Sequence, residues 1–109
     1  MGYIRHSAII LTGWKDEHIA AAKDKAEIIG LQVIGPSKEV TNGYKTICVV
    51  PDGSKEGWPE SNQGDERRRE FTDWLNASFD IYLEWVEVDY GDDDSEATIK
   101  RTPWQEPKT

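Results

Sequence analysis

The sequence is poor in the features that several common protein classes need. Its one cysteine, Cys48, allows neither an internal disulfide nor a cysteine-ligated metal site. It has 13 basic side chains against 21 acidic ones, and the net charge of -8 argues against binding to a nucleic-acid backbone. No apolar run approaches the roughly 18 residues of a membrane span, and the apolar stretch at the start of the chain is too short for a signal peptide. We therefore expect a soluble, cytoplasmic protein that contacts neither nucleic acid nor membrane directly.

Motifs for catalysis and for cofactor binding are also missing. The two histidines, His6 and His18, do not have the spacing of a metal site, and the glycines form neither GxGxxG nor a phosphate-binding loop. Cys48 lies in an apolar run, where cysteine usually behaves as a small hydrophobic residue. The acidic residues at 91–96 lack the alternating ligands of a calcium loop. We expect a protein without enzymatic activity, cofactor or metal.

The apolar patterning of the 109 residues predicts one α+β domain over 1–101 and a loose tail at 102–109. Strands are expected at 3–11 and 44–50, because both segments contain apolar runs typical of the middle of a sheet. Between them, a helix that starts near Lys15 carries an apolar stripe and ends at a capping glycine, Gly30. The stripe consists of Ile19, Ala22, Ala26 and Ile29.

The order of the predicted elements favours a ferredoxin-like βαββαβ fold, an antiparallel sheet with two helices on one face. Gly35-Pro36 interrupts the second strand and predicts an edge position, while Asn42-Gly43 predicts a tight type I′ turn before strand three. The remaining elements are a strand at 31–41, a helix at 65–76, a strand at 82–90 and a short fifth strand at 97–101.

A long polar segment at 54–64 is the first candidate for function, since long connections in compact domains are often functional. It combines the aromatic Trp58 with flexible glycines, and a helix N-terminus and three arginines follow it. A flat group could stack on Trp58 or Tyr44 while an arginine holds a phosphate or carboxylate. Alternatively, Trp58 covers the core and the arginines pair with neighbouring acids. The candidate ligand-binding residues are Tyr44, Lys55, Trp58, Asn62, Gln63, Arg67 and Arg68.

The negative charge is the second candidate. Residues 1–50 carry six basic and five acidic side chains, whereas residues 51–109 carry seven and sixteen. The stretch Ser78–Ala97 holds eight acids without lysine or arginine, which indicates either a solubilising surface or one aimed at a basic partner. Strand alternation puts Leu83 and Trp85 together on one face, and if that face is free of helices it predicts a homodimer or a protein partner. The candidate partner-binding residues are Trp85, Glu87, Asp89, Asp92, Asp93 and Asp94.

Several short motifs resemble those of a set of small uncharacterised proteins encoded by tailed bacteriophages and prophages. The resemblance covers most of the chain. It rests on MGYIRH at 1–6, NGY at 42–44, PDGSKEGW at 51–58, GD at 64–65, Phe71, WL at 74–75, WVEV at 85–88 and YGDD at 90–93. That set carries no established activity, so no catalytic residue is transferred. The resemblance implies an accessory protein that acts on the host.

Two functions follow from that context. The first is a non-enzymatic counter-defence protein that sequesters a nucleotide-like host signalling ligand as a homo-oligomer. The second is an acidic, DNA-mimic-like inhibitor that covers a basic surface of a host protein. We favour the first, because the glycines around Trp58 indicate a pocket-like loop and the acidity has a simpler explanation in solubility.

Overall fold

The computed structural model describes residues 4–39, 41–51, 53–55, 58–78, 80–91 and 96–103. This part of the chain contains two helices and six strands, and two of the strands contain only two residues. In chain order the elements are β1 (Ile4–Gly13), α1 (Asp16–Ile29), β2 (Val33–Ile34), β3 (Lys45–Val49), β4 (Ser54–Lys55), α2 (Pro59–Ala77), β5 (Glu84–Tyr90) and β6 (Thr98–Arg101).

The strands form an antiparallel sheet in the order β2-β3-β1-β5-β6, and β4 pairs with the start of β1. The predicted α+β class, antiparallel sheet and pair of helices are confirmed. β2 lies at an edge, as Gly35-Pro36 predicts, and β6 forms where the short fifth strand is expected. The succession of elements nevertheless differs from βαββαβ, because β4 precedes α2 and β6 follows β5.

The core lies between one face of the sheet and the two helices. Successive residues of a strand point to opposite faces, so every second residue of β1, β3 and β5 faces the helices. The α1 stripe contributes as its spacing predicts, and α2 adds Phe71 and Leu75. Gly30 ends α1 in the left-handed conformation, with φ 110°, and its N–H donates to the carbonyls of Ala26 and Glu27. The core cluster consists of Ile9, Leu11, Ile19, Ala22, Ala26, Ile47, Val49, Phe71, Leu75 and Trp85.

Two predicted boundaries are wrong. α2 begins at Pro59, six residues before the predicted start at 65, so most of the polar segment at 54–64 is helical rather than a loop. Pro59 occupies the first helical position, where a missing N–H costs nothing, and Glu60 complements the helix dipole. β2 ends at Ile34 rather than at 41, directly before Gly35.

The turn before β3 has the predicted backbone. Asn42 and Gly43 have φ 60° and 76°, and the Tyr44 N–H donates to the Thr41 carbonyl at 3.3 Å. Because β2 ends well before this turn, the turn closes an extended loop instead of a tight hairpin.

Candidate functional site

The predicted pocket around Trp58 and Tyr44 is not assembled. β1 pairs Gly13 with Lys45 at one end and Ile4 with Lys55 at the other. These ends are separated by about 30 Å, since an extended strand rises roughly 3.3 Å per residue. Tyr44 precedes β3 at the first end, whereas Trp58 follows β4 at the second. A single small ligand therefore cannot contact both rings, and the side chain of Lys55 lies outside the described residues.

Trp58, Asn62 and Gln63 lie at the start of α2 rather than in a loop. The Asn62 N–H donates to the Trp58 carbonyl at 3.0 Å, which is the first hydrogen bond of the helix. Asn62 and Gln63 are exposed and share a shallow outer surface with Glu60 and Glu66. This surface presents carboxylates, so it is unsuited to the phosphate or carboxylate that the sequence prediction places here.

Arg67 and Arg68 also lie outside the predicted pocket. The Arg67 guanidinium packs on Gly30, where its Cζ lies 3.2 Å from the position that a Cβ would occupy. Arg68 is fully buried and pairs with Asp65 and with Glu87, with 3.7 Å between Arg68 Nε and Glu87 Oε2. Arg67 is half-buried, and both arginines line a small cleft of about 250 Å³ beside Glu60, between α2 and the end of α1.

The acidic residues of β5 are placed wrongly by the sequence prediction. Their alternation is correct, but the sides are inverted: Trp85 and Glu87 face the helices and are buried. Asp89 lies on the same side and accepts a hydrogen bond from Ser7 Oγ at 2.6 Å. Trp85 fills the core under the helices, which is why it does not line the helix-free face. Asp92, Asp93 and Asp94 lie outside the described residues.

Glu87 forms the centre of a buried charge cluster, Arg68, Glu87 and Arg101. Its Oε1 lies 3.0 Å from Arg101 Nη1, while Asp65 extends the cluster to Lys100 at 3.7 Å. Burial raises the pKa of Glu87, and the neighbouring cations Arg101, Lys100 and Arg68 oppose that rise. This cluster connects α2, β5 and β6. The Glu87 carboxylate at its centre is sealed from solvent and offers no approach to a partner.

Three exposed aromatic rings converge at the end of the sheet where β1 finishes. Trp14 follows β1, Tyr44 precedes β3 and Tyr82 lies two residues before β5; their exposed fractions are 54%, 36% and 64%. β3 and β5 are both antiparallel neighbours of β1, so both begin where β1 ends. We call this site the aromatic cleft. It has a volume of about 280 Å³ and is lined by Thr12, Gly13, Trp14, Tyr44, Ile81, Tyr82, Leu83 and Glu84.

Two residues at the start of α1, Lys15 and His18, contact Trp14 and Tyr82. The Lys15 ammonium lies 5.0 Å from the centre of the Trp14 ring. His18 Nδ1 accepts a hydrogen bond from the Tyr82 backbone N–H at 3.0 Å. The centres of the His18 and Tyr82 rings lie 5.8 Å apart. This acceptor role leaves the proton of the neutral imidazole on Nε2. These contacts therefore fix the Tyr82 backbone and place a cation beside the Trp14 ring.

Hydroxyl and carboxylate groups complete the aromatic cleft. The hydroxyls of Thr12 and Thr46 are hydrogen-bonded at 2.9 Å, and Thr12 lies opposite the exposed Glu84 in the sheet. Lys45, although it follows Tyr44, does not line the cleft: it binds Asp16 of α1, and this hydrogen bond raises the pKa of its ammonium. The aromatic cleft thus combines π faces with hydrogen-bonding groups, and the Lys15 ammonium lies beside one of its rings.

Of the residues predicted to bind a ligand, only Tyr44 lines the aromatic cleft. Trp14 and Tyr82 are missed, although a signal for them exists in the sequence. Each flanks a strand at the same end of an antiparallel sheet, so the predicted topology alone brings them together.

Family models, curated proteins and solved structures were each compared with the chain, and none of them matches it. Within the described part of the chain, no group of three or more His, Cys, Asp or Glu residues could hold a metal ion. Neither helix of that part is long and apolar enough to cross a membrane.

Proposed function

We propose that the protein is a non-enzymatic binder of a small nucleotide-like ligand, whose base stacks in the aromatic cleft. The observation that carries this proposal is the convergence of Trp14, Tyr44 and Tyr82, all exposed, around one concavity. Exposed rings that surround a cleft are typical of sites that hold flat groups, because stacking on a π face adds to the burial of apolar area.

The dimensions and charges of the aromatic cleft limit the ligand. Its volume of about 280 Å³ lies near the lower limit of roughly 300 Å³ for small-molecule sites. It has room for one ring system and not for a whole dinucleotide. The Lys15 ammonium beside Trp14 suits an anionic group at the rim, such as the phosphate of the same ligand. Glu84 and the hydroxyl of Thr12 are placed to hydrogen-bond the edge of a base.

The sequence resemblance to phage proteins is the reason for proposing a biological role. In that role the protein sequesters a nucleotide-derived signal of host defence in the cytoplasm of the infected cell. We also propose that the framework is a ferredoxin-like fold extended by β4 and β6. The acidic-inhibitor alternative receives less support, because Glu87 is buried and Asp89 is bonded to Ser7.

The proposal is tested by titrating mononucleotides and cyclic dinucleotides while following tryptophan fluorescence and thermal unfolding. We expect quenching by at least one of these compounds and a rise in melting temperature, since ligand at 100 times its Kd adds about 2.7 kcal/mol. The variants Tyr44→Ala and Tyr82→Ala should each weaken binding by about 5- to 150-fold, from about 1–3 kcal/mol per stacked base.

The matched control is Trp58→Ala, which removes an exposed aromatic ring at the opposite end of β1. It should leave binding unchanged. Loss of binding in the Trp58 variant with retention in the Tyr44 and Tyr82 variants would contradict the proposed location. Absence of any response to the whole panel would contradict the ligand class.

A further inference from the structure

The side of the sheet that faces away from the helices is apolar and exposed. Ile10 lies in β1 between Cys48 of β3 and Val86 of β5, and all three alternate with core residues. Ile34 extends this row at one edge through its pairing with Cys48, and Ile99 extends the next row through Val88. We call this surface the open sheet face. Three of its isoleucines, Ile10, Ile34 and Ile99, are 41%, 57% and 67% exposed.

The open sheet face carries no charge over its central rows. Between the pair Thr12–Glu84 and the pair His6–Tyr90, no described residue on this face is Asp, Glu, Lys or Arg. Charged residues are 31% of the whole sequence, so this part of the surface departs strongly from the average. A partner selected by charge would find nothing here to orient it.

The size of the open sheet face suits an interface between two proteins. The five strands contain 10, 2, 5, 7 and 4 residues, and at about 3.3 Å per residue and about 4.8 Å between strands they give about 440 Å². Soluble monomers rarely leave a contiguous apolar patch of more than a few hundred Å² exposed. Two such faces together bury about 900 Å², which is the size of a weak, reversible interface.

From these observations we propose that the open sheet face binds a second copy of this chain, sheet against sheet, in a two-fold symmetric dimer. Each protomer carries a net charge of -8, and this uncharged face lets two such protomers meet without opposing like charges. β1 is the middle strand of five, so Ile10 lies near the two-fold axis and meets its own counterpart. The proposal is independent of the ligand proposed for the aromatic cleft.

The molar mass in solution tests the dimer directly, by light scattering or analytical ultracentrifugation. Wild-type protein should have twice the chain mass of 12.4 kDa. Ile10→Asp places two carboxylates face to face near the axis and should halve the measured mass. The matched control is Ile28→Asp on α1, which alters a 79% exposed isoleucine on the opposite side and should leave the dimer intact.

Labelling of the Cys48 thiol gives a second readout that needs no variant. Cys48 is half-buried beside Ile10 on the open sheet face, so dimerisation should protect it. At a fixed pH, labelling of Cys48 should become slower as the protein concentration rises. Circular dichroism separately verifies that the Ile10→Asp variant is folded. A wild-type mass of one chain, with Cys48 labelling independent of concentration, overturns the proposal and leaves the face to a different protein. A dimer that persists in Ile10→Asp but dissociates in Ile28→Asp overturns it as well.

Discussion

Arg101 Nη1 lies 3.0 Å from Glu87 Oε1, although Glu87 is fully buried and Arg101 belongs to the edge strand of the sheet. An irregularity between Glu87 and Val88 shifts the β5–β6 register and places the two residues opposite each other. The arginine thereby supplies a countercharge from the sheet edge, while Arg68 approaches the same carboxylate from α2. Arg68 and Glu87, which the sequence assigns to binding surfaces, instead join α2 and β5 to each other and, through Arg101, to β6.

Replacement of Glu87 by glutamine should change how stability depends on pH. Burial raises the pKa of Glu87 above its ordinary 4.5, so the folded protein holds this proton more tightly than the unfolded chain. Its contribution to stability is fully present below pH 4.5 and is lost as the pH rises through the raised pKa. We expect the free energy of unfolding of wild type, minus that of Glu87→Gln, to fall across this window.

Urea unfolding of both proteins from about pH 4 to pH 8 measures this difference. Glutamine has nearly the same shape as glutamate and no charge. Any change in packing therefore alters the free energy of unfolding by the same amount at every pH. A difference that stays constant over the range would show that Glu87 does not titrate above its ordinary pKa.

Arg68 and Arg69 offer a comparison between a buried and an exposed arginine on one helix. Arg68→Ala leaves the buried Glu87 with one guanidinium fewer and should cost about 3–5 kcal/mol of stability. Arg69→Ala removes an exposed side chain and should stay within about 0.5 kcal/mol of wild type. Chemical denaturation measures both values. Equal losses would contradict the structural role given to Arg68.

Trp85 and Trp14 allow a similar comparison between a core tryptophan and a surface one. Trp85→Ala opens a cavity in the core and should destabilise the fold by about 3–5 kcal/mol. Trp14→Ala removes an exposed ring whose contact with Lys15 is worth about 1 kcal/mol at most. Thermal and urea unfolding report both. If Trp85 lay at a partner surface, its variant would remain as stable as wild type.

Gly35 and Gly43 both have positive φ, and their alanine variants should differ in cost. At Gly35, with φ 102°, a Cβ would lie 2.8 Å from the Thr46 carbonyl oxygen and 3.2 Å from Ile47 Cα. At Gly43, with φ 76°, it would meet only the flexible Glu39 carboxylate at 3.0 Å. Both variants carry backbone strain of about 1–2 kcal/mol.

Gly35→Ala should lose at least about 1 kcal/mol more than Gly43→Ala, because the backbone of β3 cannot move aside as a side chain can. Urea unfolding of the two variants measures the difference. Equal losses would mean that β3 accommodates the methyl group.

The elements with strong periodicity could be predicted from sequence. The α1 stripe from Ile19 to Ile29 and the apolar runs in β1 and β3 identified their elements and the middle of the sheet. The start of α2 could not be predicted in the same way, because Ser61, Asn62 and Gly64 have weak helical preference. Of these residues Ser61 is buried, so its packing helps to hold this turn in the helix.

The side of a strand that faces the core is harder to predict than its alternation. In β5 one set of alternating residues contains Trp85 with the charged Glu87, and the other contains the apolar Val86 and Val88. Sequence reasoning could not foresee that Arg68 and Arg101 make the charged side tolerable in the interior. Because the two sides of β5 were exchanged in the prediction, Trp85 was expected on the helix-free face. The open sheet face instead consists of Ile10, Val86 and their neighbours.

The pairing of β1 with β5 has a consequence for how the chain folds during synthesis. Seven residue pairs join these strands, and Ser7 and Asp89 meet across 82 positions of sequence. Contacts between such distant segments make folding slow, because a long loop must close before the contacts stabilise anything. One edge of β1 can pair with β3 early, but the other edge waits until residues 84–90 have left the ribosome. Until then that edge stays unpaired, and an unpaired apolar strand edge is prone to aggregation.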